Sequence, residues 1–274
     1  RQEYEELYHT ISTQAPDDLA RELSISEDKA ELLLPTAMIY HNIFEETDAE
    51  FMWLSGITIC DGMAADFAEC KEHIVPAHPF SDDIISVSRK LAERFCCDTE
   101  HIHQVEIAAL KLFDALRKAN HLTKKDRLLL QIAAILHNCG SFLNLNDIGE
   151  NSYKIVTSTE IIGLSHQERM IVAYVIRYTT GDFPEYSEIK NEFSREEYIK
   201  IAKLNAILCL ADAMDRSHQQ KFTNFTVRKR GYDLTITGQT LYDITLEHGM
   251  FIQKSPFFEE AFGIRPVLRQ KKCL

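Results

Sequence analysis

The sequence contains no apolar run long enough to span a membrane, and its cysteines form no motif. Its seven cysteines are an odd set with neither a Cys-x-x-Cys pair nor the spacing of a zinc site. Reduced, mostly buried cysteines of this kind are typical of the cytosol, and the N-terminal residues do not resemble a signal peptide. We therefore expect a cytoplasmic protein with no membrane partner.

Glycine-rich phosphate loops are missing as well, because neither G-x-x-x-x-G-K-[ST] nor G-x-G-x-x-G occurs. Basic residues are in the minority: 30 Lys and Arg against 42 Asp and Glu give a formal net charge of -12. Counterion release requires clustered cations, so a nucleic-acid polymer is not an expected partner. A polyanionic substrate would need a local basic site.

The composition is otherwise that of an ordinary globular protein of 274 residues, with 45% hydrophobic and 26% charged residues. This length predicts two or three compact units. The sequence starts with RQEYEELYHT, inside an amphipathic segment and without a methionine. We therefore expect a portion of a longer protein.

The first 75 residues mix helical and strand patterns. The short apolar run FMWLSG, residues 51–56, ends in a glycine and predicts a buried strand. Helix, strand, glycine turn and helix in this order are typical of an α/β layer, which one strand leaves incomplete. Helices are predicted over residues 4–13 and 16–23, from Ser26, from Pro35 and over residues 62–69.

The remainder divides at VPAHP, residues 75–79, which is the predicted linker because it holds two prolines in five residues. Apolar stripes at helical spacing then continue to about residue 220 and predict an all-α bundle. From residue 221 onward, alternating polar and apolar residues between glycines predict a small α+β cap. Its predicted elements are strands over residues 225–228, 233–237 and 243–247, a helix over 257–262, a solvated basic strand end at 228–230 and a charged tail at 269–272.

The stretch QIAAILHNCG, residues 131–140, carries an apolar helix face directly into His137 and Asn138. Ile132 and Ile135 are spaced for a buried helix, so His137 is predicted at the wall of a core. A histidine that follows a packed helix and precedes a small polar residue and a glycine suits a site that holds one imidazole rigidly. A core histidine bonded to a backbone carbonyl is the alternative.

His103, the His137-Asn138 pair and Asp212 follow one another as H…HN…D. This order resembles the H…HD…D pattern by which HD-type phosphohydrolases collect metal ligands from separate helices. Two imidazoles and one carboxylate can hold a single transition-metal ion, whereas the neutral Asn138 amide is a weak ligand that cannot bridge two cations. Structural alternatives stay open: Asp212 can pair with Arg216 four residues later, and His103 can be an exposed histidine beside another histidine.

Seven stretches spread over nearly the whole chain belong to one pattern: LSISEDKAELLLPTAMI, FMWLSGITICDGMAADFAE, VEIAALKLFDAL, AAILHNCGSFLNLN, IIGLSHQERMIVAYVIRY, LNAILCLADAMDRSH and PFFEEAFGIRPVL. In this order they resemble the exopolyphosphatase and guanosine pentaphosphate phosphatase family, Ppx/GppA. The resemblance implies a mainly α protein with three parts. These are a partial second lobe of an actin-like, ribonuclease H-like α/β module over residues 1–75, an HD-like helical domain over 80–220, and a small α+β cap over 221–274.

The resemblance also places the family's catalytic lobe upstream of Arg1, so no catalytic residue is expected in this chain. Mg²⁺ or Mn²⁺ is implied for the full-length parent, and no cofactor is assigned to the chain itself. The helical domain departs from the family pattern at Asn138, and it has Ile148, Asn151 and Thr179 where metal-competent members have histidines. These departures imply a degenerate HD site.

His103, His137 and Asp212 remain the candidate metal ligands of that degenerate site. The predicted function is that of the C-terminal accessory region of an exopolyphosphatase-like phosphoanhydride hydrolase, which supports polyphosphate binding and forms a homodimer. One alternative is a stand-alone HD-type, metal-dependent phosphohydrolase that acts on nucleotides or alarmones. Another is a non-catalytic regulatory module that binds a phosphorylated nucleotide or a similar ligand.

Overall fold

A computed structural model describes residues 1–47, 49–53, 56, 58–70, 80–117, 122–222 and 224–271. The chain divides into two compact units, Arg1–Pro76 and Ala77–Leu274. The boundary falls within the predicted linker, residues 75–79, which lies outside the described residues. Among the described residues, no helix combines the length and the hydrophobicity that crossing a bilayer requires.

The first unit is helical in its described part. Its helices are α1 (Gln2–Thr13), α2 (Pro16–Leu23), α3 (Glu27–Glu45) and α4 (Ile59–Cys70). A small core holds α1, α2 and α3 together, made by Ile11, Leu19, Ala20, Ala30 and Ala37.

Two predictions for this unit are wrong. Pro35 does not open a new helix but lies inside α3, where buried Ala30 and Ala37 on either side hold both halves of the helix in place. The sequence predicts that a buried strand begins at Phe51, but Phe51, Met52 and Trp53 have no regular structure; Leu54 and Ser55 lie outside the described residues. A strand needs a neighbour for its N–H and C=O groups, and no described residue of the unit supplies one. The predicted partial α/β lobe stays a prediction.

The second unit begins with a run of helices, joined by short loops. They are α5 (Phe80–Arg94), α6 (Thr99–Leu116), α7 (Lys124–Leu136), a 3₁₀ turn (Cys139–Phe142), α8 (Ile148–Ser158), α9 (His166–Arg177), α10 (Tyr186–Ile189) and α11 (Arg195–Ala213). The sequence predicts a helix start of the Ser-x-x-Glu type at Ser165 and Glu168. This start of α9 is confirmed, because the two side chains bond reciprocally to each other's backbone N–H groups. Thr123 with Asp126 starts α7 in the same way, as Ser194 with Glu197 starts α11.

A three-stranded sheet and one long helix complete the unit. The strands are β1 (Asn224–Arg230), β2 (Asp233–Gln239) and β3 (Arg265–Lys271), and α12 (Thr245–Phe262) connects β2 to β3. β1 pairs antiparallel with β2, and β2 pairs parallel with β3. A parallel pair needs such a crossover because its second strand must start again at the same end of the sheet.

The third strand lies elsewhere than predicted. Residues 243–247, predicted as a strand, lead into α12 and form its first turn, and the helix predicted over 257–262 is only the end of α12. Residues 269–271, predicted as part of a charged tail, belong to β3. Short alternating patterns of Thr, Ile and Leu do not distinguish a strand from a helix start, and packing on α11 and β3 decides for the helix.

One continuous core joins the helices to the sheet, so the predicted helical domain and the predicted cap pack as one unit. Phe222, Leu234, Ile236 and Phe251 are buried together with the apolar faces of α6, α7, α9 and α11. Helices α6, α7 and α11 are mutual neighbours in this core. Polar side chains at the ends of these three helices can therefore meet.

Candidate metal centre

Three helices bring two imidazoles and one carboxylate to one point. His101 comes from the first turn of α6, His137 directly follows α7, and Asp212 lies in the last turn of α11. Nε2 of His101 lies 3.2 Å from Nε2 of His137 and 3.4 Å from Oδ1 of Asp212. Nε2 of His137 lies 3.6 Å from the same oxygen.

These separations fit one small metal ion. At a metal–ligand length of about 2.1 Å, ligands in tetrahedral geometry lie about 3.4 Å from one another. The three distances of 3.2, 3.4 and 3.6 Å surround that value. Two imidazole nitrogens and one carboxylate oxygen are also a donor set that transition metals such as Zn²⁺, Mn²⁺ and Fe²⁺ accept. In the part of the chain that is described, His101, His137 and Asp212 are therefore suited to hold a single ion.

His137 is oriented by the turn that follows α7. Its Nδ1 lies 2.7 Å from the carbonyl oxygen of Ala134. A carbonyl can only accept, so Nδ1 carries the proton, and Nε2 in the neutral ring presents a lone pair to the cluster. Ser152 of α8 clamps the same turn: its hydroxyl donates to the carbonyl of His137 (2.9 Å) and accepts from the N–H of Gly140 (2.7 Å).

Glycine is required at residue 140 because α8 passes very close to this turn. A Cβ atom there would lie 2.2 Å from the carbonyl oxygen of Ile148 and 2.5 Å from the backbone nitrogen of Ser152. Both of these are backbone atoms and cannot move aside cheaply. Glycine at residue 140 therefore lets α8 pack closely against the turn that follows His137.

His101 is held from both ends of its ring. The Asp98 carboxylate caps α6 by accepting from the N–H groups of Glu100 and His101, which starts the helix three residues before the imidazole. Asp215 then binds Nδ1 of His101 at 2.9 Å, while Nε2 points to His137 and Asp212. A carboxylate on the far nitrogen is the usual support of a metal-binding histidine, because it fixes which nitrogen keeps the lone pair.

The turn after α11 is shaped to deliver these partners. Gln220 donates its N–H to Asp215 Oδ1 at 2.7 Å, and both His218 and Gln220 adopt positive φ angles of 55° and 45°. The His218 ring lies flat on His101, with ring centroids 3.6 Å apart, and its Nδ1 lies 3.0 Å from Asp98. The segment that ends α11 therefore covers one face of the His101 ring.

Electrostatics favour a positive charge at this point. Burial lowers the pKa of His101, which is only 1% exposed, but the carboxylates of Asp212 and Asp215 outweigh burial and raise that pKa to about 9. Burial likewise raises the pKa of Asp212, and hydrogen bonds from His101 and His137 outweigh it, so that the pKa falls well below its usual range. The cluster is an ion pair when it holds a proton, and a metal ion would take the place of that proton.

The structure places two of the three predicted ligands, His137 and Asp212, in this cluster. The third prediction is corrected: His103 is exposed, and His101 occupies the position assigned to it. Helical phase explains the difference. His101 precedes the buried Val105 by four residues and therefore shares its face of α6, whereas His103, two residues from Val105, points away. The four-residue spacing from His101 to Val105 could have predicted that His101 faces the core. No sequence pattern predicts the turn that brings Asp215 and His218 to His101.

The other departures from the family pattern have local structural roles. Asn138 is half-buried between α7 and the 3₁₀ turn, and Ile148 begins α8. Asn151 donates to the carbonyl of Asn146 (3.3 Å), and the buried Thr179 donates to the carbonyl of Ile176 (2.8 Å).

The structural alternatives are partly realised as well. His137 does bond to a backbone carbonyl, at Ala134, and Arg216 lies 3.8 Å from Asp212. These contacts involve Nδ1 of His137 and Oδ2 of Asp212. The atoms that face the cluster, Nε2 of His137 and Oδ1 of Asp212, remain available. Metal binding itself stays a prediction.

Comparison with known proteins identifies a family for most of the second unit. The family model for Ppx/GppA phosphatase, domain III, matches residues 85–253, which is more than half of the chain and includes His101, His137 and Asp212. A search of the curated proteins finds no match.

In the metal-free protein, protonated His101 is expected to stabilise the fold at low pH. Because folding raises its pKa from 6.5 to about 9, this contribution is complete below pH 6.5, declines up to pH 9 and is lost above it. Between these limits the free energy of unfolding should fall by about 3 kcal/mol more in the wild type than in His101→Gln. Urea unfolding in the presence of EDTA, carried out between pH 6.5 and pH 9, measures this change in the free energy of unfolding. Asp215→Asn should show an intermediate slope, and identical slopes in all three proteins would contradict the assignment.

Proposed function

The chain belongs to the Ppx/GppA phosphatase family, and on this basis we propose that it is the C-terminal accessory region of an exopolyphosphatase-like phosphoanhydride hydrolase. It binds the phosphate chain of a substrate, polyphosphate or a phosphorylated nucleotide, and supports a homodimer in the cytoplasm. Its own residues do not hydrolyse the substrate.

One observation carries the non-hydrolytic role: a single carboxylate, that of Asp212, faces the two imidazoles in the described part of the chain. A two-metal phosphohydrolase site holds its ions about 4 Å apart and needs carboxylates to bridge them and to offset their charge. Asp215 is not available for this, because it bonds to the far nitrogen of His101. Asn138 offers only a neutral amide beside His137. The donor set is therefore better suited to an accessory, non-hydrolytic role than to two-metal hydrolysis.

An exposed apolar surface on the second unit supports the proposed homodimer. Tyr242, Leu246 and Met250 line an open cavity of about 660 Å³ at the start of α12. Tyr242 is 67% exposed and Leu246 is 52% exposed. Apolar side chains grouped in this way are typical of surfaces that another protein covers.

A second candidate function is favoured by the ligand separations of the cluster. A single ion on His101, His137 and Asp212 would leave coordination positions open, and such an ion can polarise a phosphoryl oxygen and activate water. The chain would then be a mononuclear, HD-type phosphohydrolase for nucleotides or alarmones. In that case Asp215 and Ala134 would fix the orientation of the two imidazoles.

The two functions differ in turnover. With Mn²⁺ or Mg²⁺ present, the purified chain should release no more phosphate from polyphosphate, guanosine tetraphosphate or nucleotides than the His137→Ala variant does. The reason is that only one carboxylate is available for the ions. A colorimetric phosphate assay measures this. Turnover that His137→Ala abolishes would refute the accessory role and establish the second candidate.

The second candidate requires a metal ion on His101. The wild type should then bind one Mn²⁺ or Zn²⁺ per chain, and His101→Ala should weaken that binding by more than about 100-fold, because it removes a ligand and the contact to Asp215. His103→Ala, on the exposed face of the same helix, is the matched control and should bind as the wild type does. Calorimetric titration and elemental analysis give the affinity and the stoichiometry. Equal losses in both variants would rule out this site.

The proposed homodimer should depend on the apolar surface around Leu246. Leu246→Lys places a charge on that surface and is expected to convert the dimer to a monomer, as measured by size-exclusion chromatography with light scattering. Ile162→Lys is the matched control, because Ile162 is an exposed isoleucine outside this cavity. A wild type that is monomeric at micromolar concentration, or a dimer that survives Leu246→Lys, would contradict the assignment of this surface.

A further inference from the structure

The outward face of the three-stranded sheet carries a row of cations. Alternation along the strands buries Phe225, Leu234, Ile236 and Leu268 on one side, so the residues between them face outward. Five of these outward residues are basic: Arg228 and Arg230 on β1, and Arg265, Arg269 and Lys271 on β3.

This face is basic on a chain whose formal net charge is -12. Its single carboxylate, Asp233 of β2, lies opposite both Arg230 and Arg265 in the strand register. Asp233 is already neutralised, because Arg265 donates to its two oxygens at 3.0 and 3.2 Å. In the part of the chain that the structure describes, the remaining four cations have no ion-pair partner. Unpaired cations gathered on one face of an acidic protein attract a polyanion.

Two adjoining cavities form a groove along these cations. One, of about 300 Å³, is lined by Arg228, Arg230 and Arg269, and the other, of about 410 Å³, contains Lys271. The cavities share the lining residues Arg228 and Thr237, so they lie side by side on this face. From the row of Asp233 to the row of Gln239 the face extends six residues along β2, which is roughly 20 Å. The groove is therefore suited to an extended chain of negative groups rather than to one small anion.

We infer that this groove binds a linear polyphosphate chain. Arg228, Arg269 and Lys271 would neutralise phosphate oxygens, and the hydroxyls of Thr226, Thr235 and Thr237 lie between the cations as further donors. This assignment rests on the proposed function and names the surface on which its substrate chain lies.

The absence of stacking surfaces favours polyphosphate over a single-stranded nucleic acid. No aromatic residue points outward from the described strands, whereas proteins that bind single strands stack bases on aromatic rings. Phe225 touches one cavity, but it is buried and Lys111 lies over its ring, 4.2 Å from the centroid. Tyr232 is exposed, but it lies in the turn between β1 and β2 and lines neither cavity. The strands thus offer cations and hydroxyls along the groove but no exposed aromatic ring within it.

The test compares two double variants of the full 274-residue chain. Arg228→Gln with Arg269→Gln removes two cations from the groove. The matched control, Lys190→Gln with Lys229→Gln, removes two exposed cations outside it, because Lys229 alternates to the other side of β1. Fluorescence anisotropy with labelled medium-chain polyphosphate gives the affinities over a range of salt concentrations, and circular dichroism checks that each variant is folded.

The groove variant should bind polyphosphate about tenfold more weakly and show a shallower salt dependence, while the control variant stays within about twofold of the wild type. Unlabelled poly(U) should compete poorly. If the wild type binds polyphosphate and both double variants bind equally well, the groove assignment is wrong and the proposed function stands. If the wild type binds no polyphosphate, both are wrong. If poly(U) displaces polyphosphate at lower concentration than unlabelled polyphosphate does, the groove is a nucleic-acid surface and the assignment is overturned.

Discussion

A buried histidine between two carboxylates is the constraint on which the second unit depends. His101 is almost fully buried, and a charge there is tolerated only if both ring nitrogens are paired. Asp215 pairs one nitrogen, and His137 with Asp212 pairs the other. These partners come from α7 and from the end of α11, so the three helices must keep their positions to within hydrogen-bonding distance. The cap at Asp98, the left-handed turn through His218 and the clamp at Ser152 all serve that requirement.

The same three donor atoms can be satisfied by a proton or by a metal ion. In the protonated form, the charge on His101 lies between two carboxylates, and the cluster is complete without an ion. A carboxylate at residue 138 would add a further negative charge beside His137 and would make a bound cation more necessary. The neutral amide of Asn138 adds no such charge.

Much of the helical architecture could be predicted from periodicity, because α6, α7, α9 and α11 bury wide apolar faces and start at recognisable caps. His137 could be predicted because it extends an apolar helix face, whereas Asp212 was predicted from the H…HN…D order. His101 was missed in favour of His103 because the choice needed the phase of α6 relative to Val105. The strand predicted at residues 243–247 and the tail predicted at 269–272 were wrong because parallel pairing of β2 with β3 is a contact between distant segments. Asp215 and His218 reach His101 through a turn with positive φ angles at His218 and Gln220. Such angles are uncommon for residues other than glycine, so the sequence does not predict this turn.

The crossover through α12 has a consequence for the order in which this protein can assemble. β3 follows β1 by about forty residues, and it pairs with β2 only after the whole of α12 has been made. During synthesis, α6 and β1 already exist while β2 still lacks its parallel neighbour and exposes one edge. Three of the five outward cations, Arg265, Arg269 and Lys271, arrive with that last strand. A chain that ends before residue 265 would thus contain every residue of the histidine cluster but less than half of the outward cations. Truncation before β3 can therefore separate the histidine cluster from the basic face, as mutation can.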